Sequence, residues 1–581
     1  MRRAARACAA GCRQGPTGIG GQLIRPTPAP ANGSVLIAGG GSNGGGSSYL
    51  RVIENPLPGT SGTDNVVPSE SGEQLYRFDA AGRHLDTRDA ATGAVLIAFA
   101  YDSIGRLSSV TDNSGNVTTF VRDTLGRLDR ILGPYGQTTE VSLDAHGFIS
   151  SLEDPAGSQS QFTYTDAGLM TTMVDVRGGL HAFEYDDVGR LISDSGPEDV
   201  VKTLESSLVS STRTISSQTG GGLQSVYRSV LLPTGGTRSE QSTAGLTNFS
   251  DVLESGGTAA TFADGMRITS LLGADPRFGM AAPFLARKVE TTPAGFTRTV
   301  LRARSFAGAA AGFGETVTQN GNVATFSYDA ATRTFTSTSD EGRQFAVTRD
   351  ASGRVTRLAR AGLLPVDVSR DGRGRVIQLQ QGNRITTFGY AGAGTAEGYL
   401  AQMEGAEGDV TEFGRDALGE LIATSRAGAT TLLERDEAGH LTGFTVPTGD
   451  EHQMTYTLQG ALSSYQPPVL PGEPNATTYA YDTDGNLAVQ TLPDGSVLQR
   501  TQDEAGRLET MSFPGGLIEQ TYYPPGVSGA GHVSDILGPY GTNLHYTYDG
   551  RLTTGCTWSG DGIGNVAWQY NGMRHPHSPG R

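Results

Sequence analysis

The chain has 581 residues and a net charge of −16, with glycine at 82 positions and 18% charged residues. Glycine at about twice its ordinary share and charge below the ordinary quarter are the composition of many turns and few helices. The acidic balance argues against nucleic acid as a partner, since no basic surplus exists to neutralise phosphates. Cys8, Cys12 and Cys556 are too scattered for a disulfide framework or a four-ligand zinc site. No apolar run reaches the about 18 residues that a spanning helix needs.

Residues 1–34 begin Arg-rich, and Arg6 interrupts the apolar region that a signal peptide requires. They are expected as a disordered or mis-started segment. Residues 35–71 read as a glycine-rich strand and loop lead-in. Within them Val35 to Ala38 followed by Gly39-Gly-Gly41-Ser-Asn-Gly44 matches a dinucleotide-binding fingerprint. That motif must open a helix at once, and Gly45, Gly46, Ser47, Ser48, Pro56 and Pro58 leave no room for one. No cofactor is expected.

Residues 72–200 form a first repeat array. Gly105, Gly126, Gly147, Gly168 and Gly189 are each 21 residues apart, and Gly115, Gly136, Gly157 and Gly178 keep the same step ten residues later. Two turn signals per period leave space for two short strands, so the unit is strand, turn, strand, turn. Six before each glycine stand Phe99, Phe120, Val141, Phe162 and Phe183; four before it stand Tyr101, Arg122, Leu143, Tyr164 and Tyr185. Two residues apart on a strand is one face, so large side chains stack from repeat to repeat. Leu107, Leu128, Ile149, Met170 and Leu191 fix an apolar position on the outgoing strand. Leu107 and Val110 are three apart, which puts them on opposite faces unless a bulge intervenes.

Asp102, Asp123, Asp144 and Asp186 end the incoming strands, three residues before glycine. Aspartate accepts hydrogen bonds from nearby amides, and glycine takes the left-handed conformation that a bulged hairpin loop demands. This accounts for the repeated carboxylates without a catalytic or calcium-binding role. Arg106, Arg127 and Arg190 would stack like charges, and aspartates are expected between them.

The intact phrase Tyr-Asp-x-x-Gly-Arg-Leu at Tyr101 to Leu107 and Tyr185 to Leu191 resembles the tyrosine–aspartate (YD) repeat of Rhs proteins, insecticidal toxin-complex shells and teneurins. The resemblance implies an all-β fold in which stacked hairpins form a spiralling sheet, part of a hollow shell. The repeat residues carried by it are Phe99, Tyr101, Asp102, Gly105, Arg106 and Leu107; Phe120, Asp123, Gly126, Arg127 and Leu128; and Phe183, Tyr185, Asp186, Gly189, Arg190 and Leu191. In bacterial members a plug with Asp-Pro-x-Gly character and a variable toxin follow the shell. Neither segment is found here, so this chain is expected to be part of a shell.

Residues 201–320 lose the period but alternate in places, as in Thr297 to Leu301, and read as an irregular β segment. Ala274 to Met280 resembles a segment of the family's bacterial members, and Asp275 beside Pro276 reads as a turn. Residues 321–571 form a second array, with Gly353, Gly374, Gly419, Gly439, Gly460, Gly485 and Gly506 in the repeat column. Insertions at Gly389 to Gly398 and Pro467 to Pro474 are expected as loops where partners bind. Residues 572–581 read as a disordered tail, with His575-Pro-His577 in it.

Neither a calcium-binding loop nor a nucleophile elbow is present in the sequence. Asp482-Thr-Asp484-Gly485 lacks the glycine and glutamate positions of an EF-hand. No Gly-x-Ser-x-Gly elbow stands between a strand and a helix. No catalytic, metal or cofactor residue is therefore assigned. Three readings of function remain: a secreted or surface shell that encloses a C-terminal toxin not present in this chain, a teneurin-like adhesion or carbohydrate-binding protein, and a glycosidase. The partners these imply are a polypeptide cargo or a surface glycan or receptor.

Overall fold

The structure, a computed structural model, describes residues 65–570 apart from 255, 310–311, 395, 469–475 and 561. It also gives the backbone of the strands Val35–Gly39, Tyr49–Ile53 and Pro576–His577. Residues 1–34, the glycine loop at 40–48, most of the Pro467 to Pro474 insertion, His575 and most of the 572–581 tail lie outside the described residues.

The chain divides into two compact units. In the smaller, residues 1–56 and 60–64, Val35–Gly39 pairs antiparallel with Tyr49–Ile53. The larger is built on one long antiparallel sheet. Between the end strands Asn65–Pro68 and Gly564–Ala567, every strand pairs with the strand before it and the strand after it, through residues 201–320 as well as through the periodic blocks. Among the described residues no ladder joins the two end strands to each other, so the sheet is an open ribbon.

The pleat sorts the side chains. In Gln159–Tyr164 the odd positions Gln161 and Thr163 are exposed, whereas Phe162 and Tyr164 are half-buried on the other face. Phe162 lies opposite Met173 and Tyr164 opposite Met170. The spacing of Leu107 and Val110 is explained by a bulge: Tyr101 lies opposite Leu107 but Ala100 lies opposite Ser109, so Ser108 is the extra residue. The same shift recurs at Arg122 opposite Leu128 and at Tyr185 opposite Leu191.

This bulge has a hydrogen-bonding role that runs between hairpins. Tyr185 Oη donates to the carbonyl of Met170 in the preceding hairpin (2.8 Å), Tyr101 to His84 (2.9 Å) and Tyr456 to Leu441 (2.8 Å). Where arginine stands in the tyrosine column it reaches the equivalent carbonyl: Arg122 donates to Leu107 (3.2 Å) and Arg415 to Leu400 (3.1 Å). Tyrosine and arginine share one job there, and an apolar stacking role alone does not describe it.

Far along the chain the ribbon returns to itself. Its turns fall on two edges, one carrying the Asp-x-x-Gly turns and the other the turns of Gly115, Gly136 and Gly178. Asn113 Nδ2 donates to Ser352 O (3.3 Å), Gln137 Nε2 to Glu397 O (3.3 Å) and Arg177 to the carbonyls of Thr457 (2.8 Å) and Leu458 (2.6 Å). Gly221 N donates to Asp484 Oδ1 (2.7 Å), and Arg551 Nε to Asp264 Oδ2 (3.1 Å). These partners lie 239 to 287 residues apart. The second edge of one coil thus meets the aspartate edge of the next along a polar seam. Little is sealed from solvent: the fully buried large side chains among the described residues are Leu75, Met266 and Asp275.

Candidate functional surfaces

The repeat residues come together as one turn used many times. Asp102 Oδ1 accepts from the N–H groups of Ile104 (3.1 Å) and Arg106 (2.9 Å), and Oδ2 accepts from Arg106 Nε (2.8 Å). Asp123 with Arg127 and Asp186 with Arg190 repeat the arrangement. The backbone N–H of the following arginine is the foremost influence that holds these three carboxyls below the usual range, and burial opposes it. Gly105, Gly126 and Gly189 close the loops with φ of 87°, 80° and 79°. Each arginine is paired with the aspartate of its own turn, and Arg106 also donates to the carbonyl of Gly126 one turn further on. On the strands, Phe99 lies opposite Val110, Phe120 opposite Ile131 and Phe183 opposite Asp194. These carboxylates act as loop acceptors.

Asp275 does more than make a turn. Its side chain is fully buried and takes Arg277 Nε (3.0 Å) and Arg304 Nη1 (3.0 Å), while Arg277 N donates to Oδ1 (2.8 Å). Burial is the largest influence on this carboxyl and pushes its pKa up, but the hydrogen bonds from Arg277 and the charge beside it outweigh burial, leaving it lowered. Arg277 Nη2 continues to Gly72 O (3.1 Å), tying residues 205 apart. Arg304 Nε meets Glu315 Oε2 at 2.6 Å. The sequence offers no sign of this node, because the second arginine comes from another strand and the carbonyl from the turn at Gly72, far away in the chain.

Beside the node lies a concavity of about 640 Å³, with Gly72, Asp89, Arg302, Phe313, Phe326 and Arg349 in its lining. Arg349 faces Asp89 (3.5 Å) and lies 4.7 Å from the Phe335 ring centre. A second concavity, of about 570 Å³, opens on the strands between 212 and 262, where Ile215, Tyr227, Phe249 and Phe262 meet Arg228 and Gln241. The insertion expected to bind partners at Gly389 to Gly398 is engaged within the chain: the Tyr135 ring lies against Gly398, where a Cβ would stand 2.5 Å from ring carbons. Among the described residues no helix is long and apolar enough to cross a membrane.

The sequence of the Teneurin YD-shell family matches this chain over residues 63–571. The chain belongs to that family. Mouse and human teneurin-4 are each 35% identical to it over 74 residues, 12% of this chain and 3% of theirs. Among solved structures, the TcdB2-TccC3 structure lacking its hypervariable C-terminal region is 12% identical over 84% of this chain and 30% of that one (TM-score 0.40). The Photorhabdus luminescens Tc holotoxin pore is 13% identical over 84% of this chain and 27% of that one (TM-score 0.30). This YD-shell chain therefore spans a small part of the relatives it matches.

Proposed function

We propose that this YD-shell chain is a structural scaffold, a length of wall in a secreted or cell-surface shell that encloses a polypeptide cargo. The observation that carries the reading is the seam: a ribbon whose edges hydrogen-bond to one another after 239 residues or more is built to close off space. A non-enzymatic role is supported by the turn carboxylates, which are taken up as loop acceptors. The test is mass spectrometry of the native product purified from producing cells, with limited proteolysis before and after unfolding. A co-purifying polypeptide that becomes cleavable only when the shell unfolds supports the scaffold reading. A surface product with no protected polypeptide overturns it.

The concavity around Tyr227 and Phe249 favours a second reading, adhesion through a glycan. Aromatic faces beside Gln241, Asn248 and Glu240 offer both stacking and hydrogen bonding to a sugar. Binding on a glycan array that is lost in Tyr227→Ala would support it.

A further inference from the structure

The concavity of about 640 Å³ beside the Asp275 node is lined by Arg277, Arg302, Arg304 and Arg349. Arg277 and Arg304 are held by Asp275 and Glu315, but the other two are loosely paired because their nearest acids are claimed elsewhere. Glu315 Oε2 lies 2.6 Å from Arg304 Nε, which leaves Oε1 at 3.5 Å from Arg302 Nη1, and the Arg302 side chain is 40% exposed. Asp89 Oδ1 accepts from the N–H groups of Ala91 (3.0 Å) and Thr92 (2.8 Å) and from Thr92 Oγ1 (2.9 Å). Its own turn takes that oxygen up, and Oδ2 meets Arg349 Nη1 at 3.5 Å. Arg349 Nε is buried and has no hydrogen-bond partner among the described residues. A buried donor without a partner, set in a cavity, is matched to an acceptor brought by a ligand.

The floor of the cavity supplies an apolar surface next to these cations. Arg304, Glu315 and Phe326 lie opposite one another on consecutive strands, as do Arg302, Val317 and Ala324 two residues along. The pleat therefore puts all six on one face. Phe313, Tyr328 and Phe335 continue that face. Tyr328 is buried, with its ring 4.5 Å from that of Phe335, whereas Phe326 is 46% exposed and turns an open ring to the cavity.

The facing wall belongs to the preceding coil, at Ser71 to Glu73 and Asp89 to Ala91. Both of these turns are seated: Gly72 O accepts from Arg277 Nη2 (3.1 Å), and Ala94 lies against Gly353, where a Cβ would stand 3.3 Å from it. Both sides of the seam are present here, so the cavity is made by the ribbon meeting itself and is not an uncovered edge. Its volume falls within the about 300–1,000 Å³ of small-molecule sites.

We propose that this cavity is a binding site for a small aromatic carboxylate. The carboxylate accepts from Arg302 and Arg349, whose planar donors suit it, and the ring lies on Phe326. Glu73, exposed on the rim, opposes the charge of the ligand and lowers its affinity. The site needs neither an enclosed cargo nor a surface glycan.

The experiment is a saturation-transfer NMR titration of the full chain with N-acetylphenylalanine. N-acetylphenylalaninamide supplies the ring without the charge, and acetate the charge without the ring. The acid should bind with a Kd of about 1 mM, and both controls about tenfold more weakly or worse. Arg302→Gln and Phe326→Ala, at half-exposed positions, should each weaken the acid by about fivefold or more at unchanged melting temperature. Glu73→Gln should tighten it about twofold, a gain that misfolding cannot imitate. Acid and amide that bind equally overturn the proposal. So does acid binding that neither Arg302→Gln nor Phe326→Ala alters, or the lack of saturable binding up to about 20 mM.

Discussion

At the scale of the residue, the aspartate of each turn is chosen for reach. One short side chain accepts from two backbone amides and an arginine at once, which a longer glutamate would do with more rotamer freedom to lose. The carboxyls of Asp102, Asp123 and Asp186 titrate lower in the folded chain than the about 3.9 of an unfolded aspartate. A depressed folded value means the stabilisation is complete above about pH 3.9 and is lost as pH falls through the folded values. Melting temperature is therefore expected to hold from about pH 5 to 7 and to drop below about pH 4. Replacing the three aspartates by asparagine should flatten that acid limb; an acid limb of unchanged steepness would show that other groups drive it. Gly126 makes the complementary point. At φ 80°, with the Arg106 guanidinium against it, valine would meet both backbone strain and a neighbour. Gly126→Val should cost about 1–2 kcal/mol or more in chemical denaturation, and an unmoved midpoint would contradict the turn.

At the scale of the element, the hairpins are held together by a bond that crosses from one bulge to the next. Tyr185→Phe keeps the ring and removes only the donor to Met170 O, so a loss of about 1 kcal/mol is expected. Tyr185→Arg should recover most of it, because Arg122 already serves the equivalent carbonyl. Equal stability of the phenylalanine variant and the wild type, read from denaturation midpoints, would assign the column to packing alone. This part of the fold was only half legible. The 21-residue period, the Asp-x-x-Gly turn and the strand faces follow from local chemistry that each repeat states in full. The column of Tyr101, Arg122 and Tyr185 looks chemically mixed until the acceptor is known, and the acceptor is a backbone carbonyl at the bulge of the preceding hairpin.

At the scale of the whole ribbon, no hairpin has enough apolar surface to stand alone, and stacking gives each one only its two neighbours. The seam adds contacts between residues far apart in the chain. Its register was not legible, because it arises from small twists summed over many hairpins and no motif encodes that sum. Asp275, which read as a turn, shows the consequence. Its carboxylate gathers Arg277 and Arg304, and Arg277 carries the tie on to Gly72 near the start of the sheet. Removing one partner from a buried ionic cluster leaves the others uncompensated, so Asp275→Asn should cost about 3 kcal/mol, far more than a turn aspartate on the surface. The loss should appear first as faster hydrogen exchange at Gly72 and Glu73, where the coil begins, before the distant hairpins change. If exchange instead rises evenly along the ribbon, the cluster supports the sheet as a whole and is not the local staple that its geometry describes.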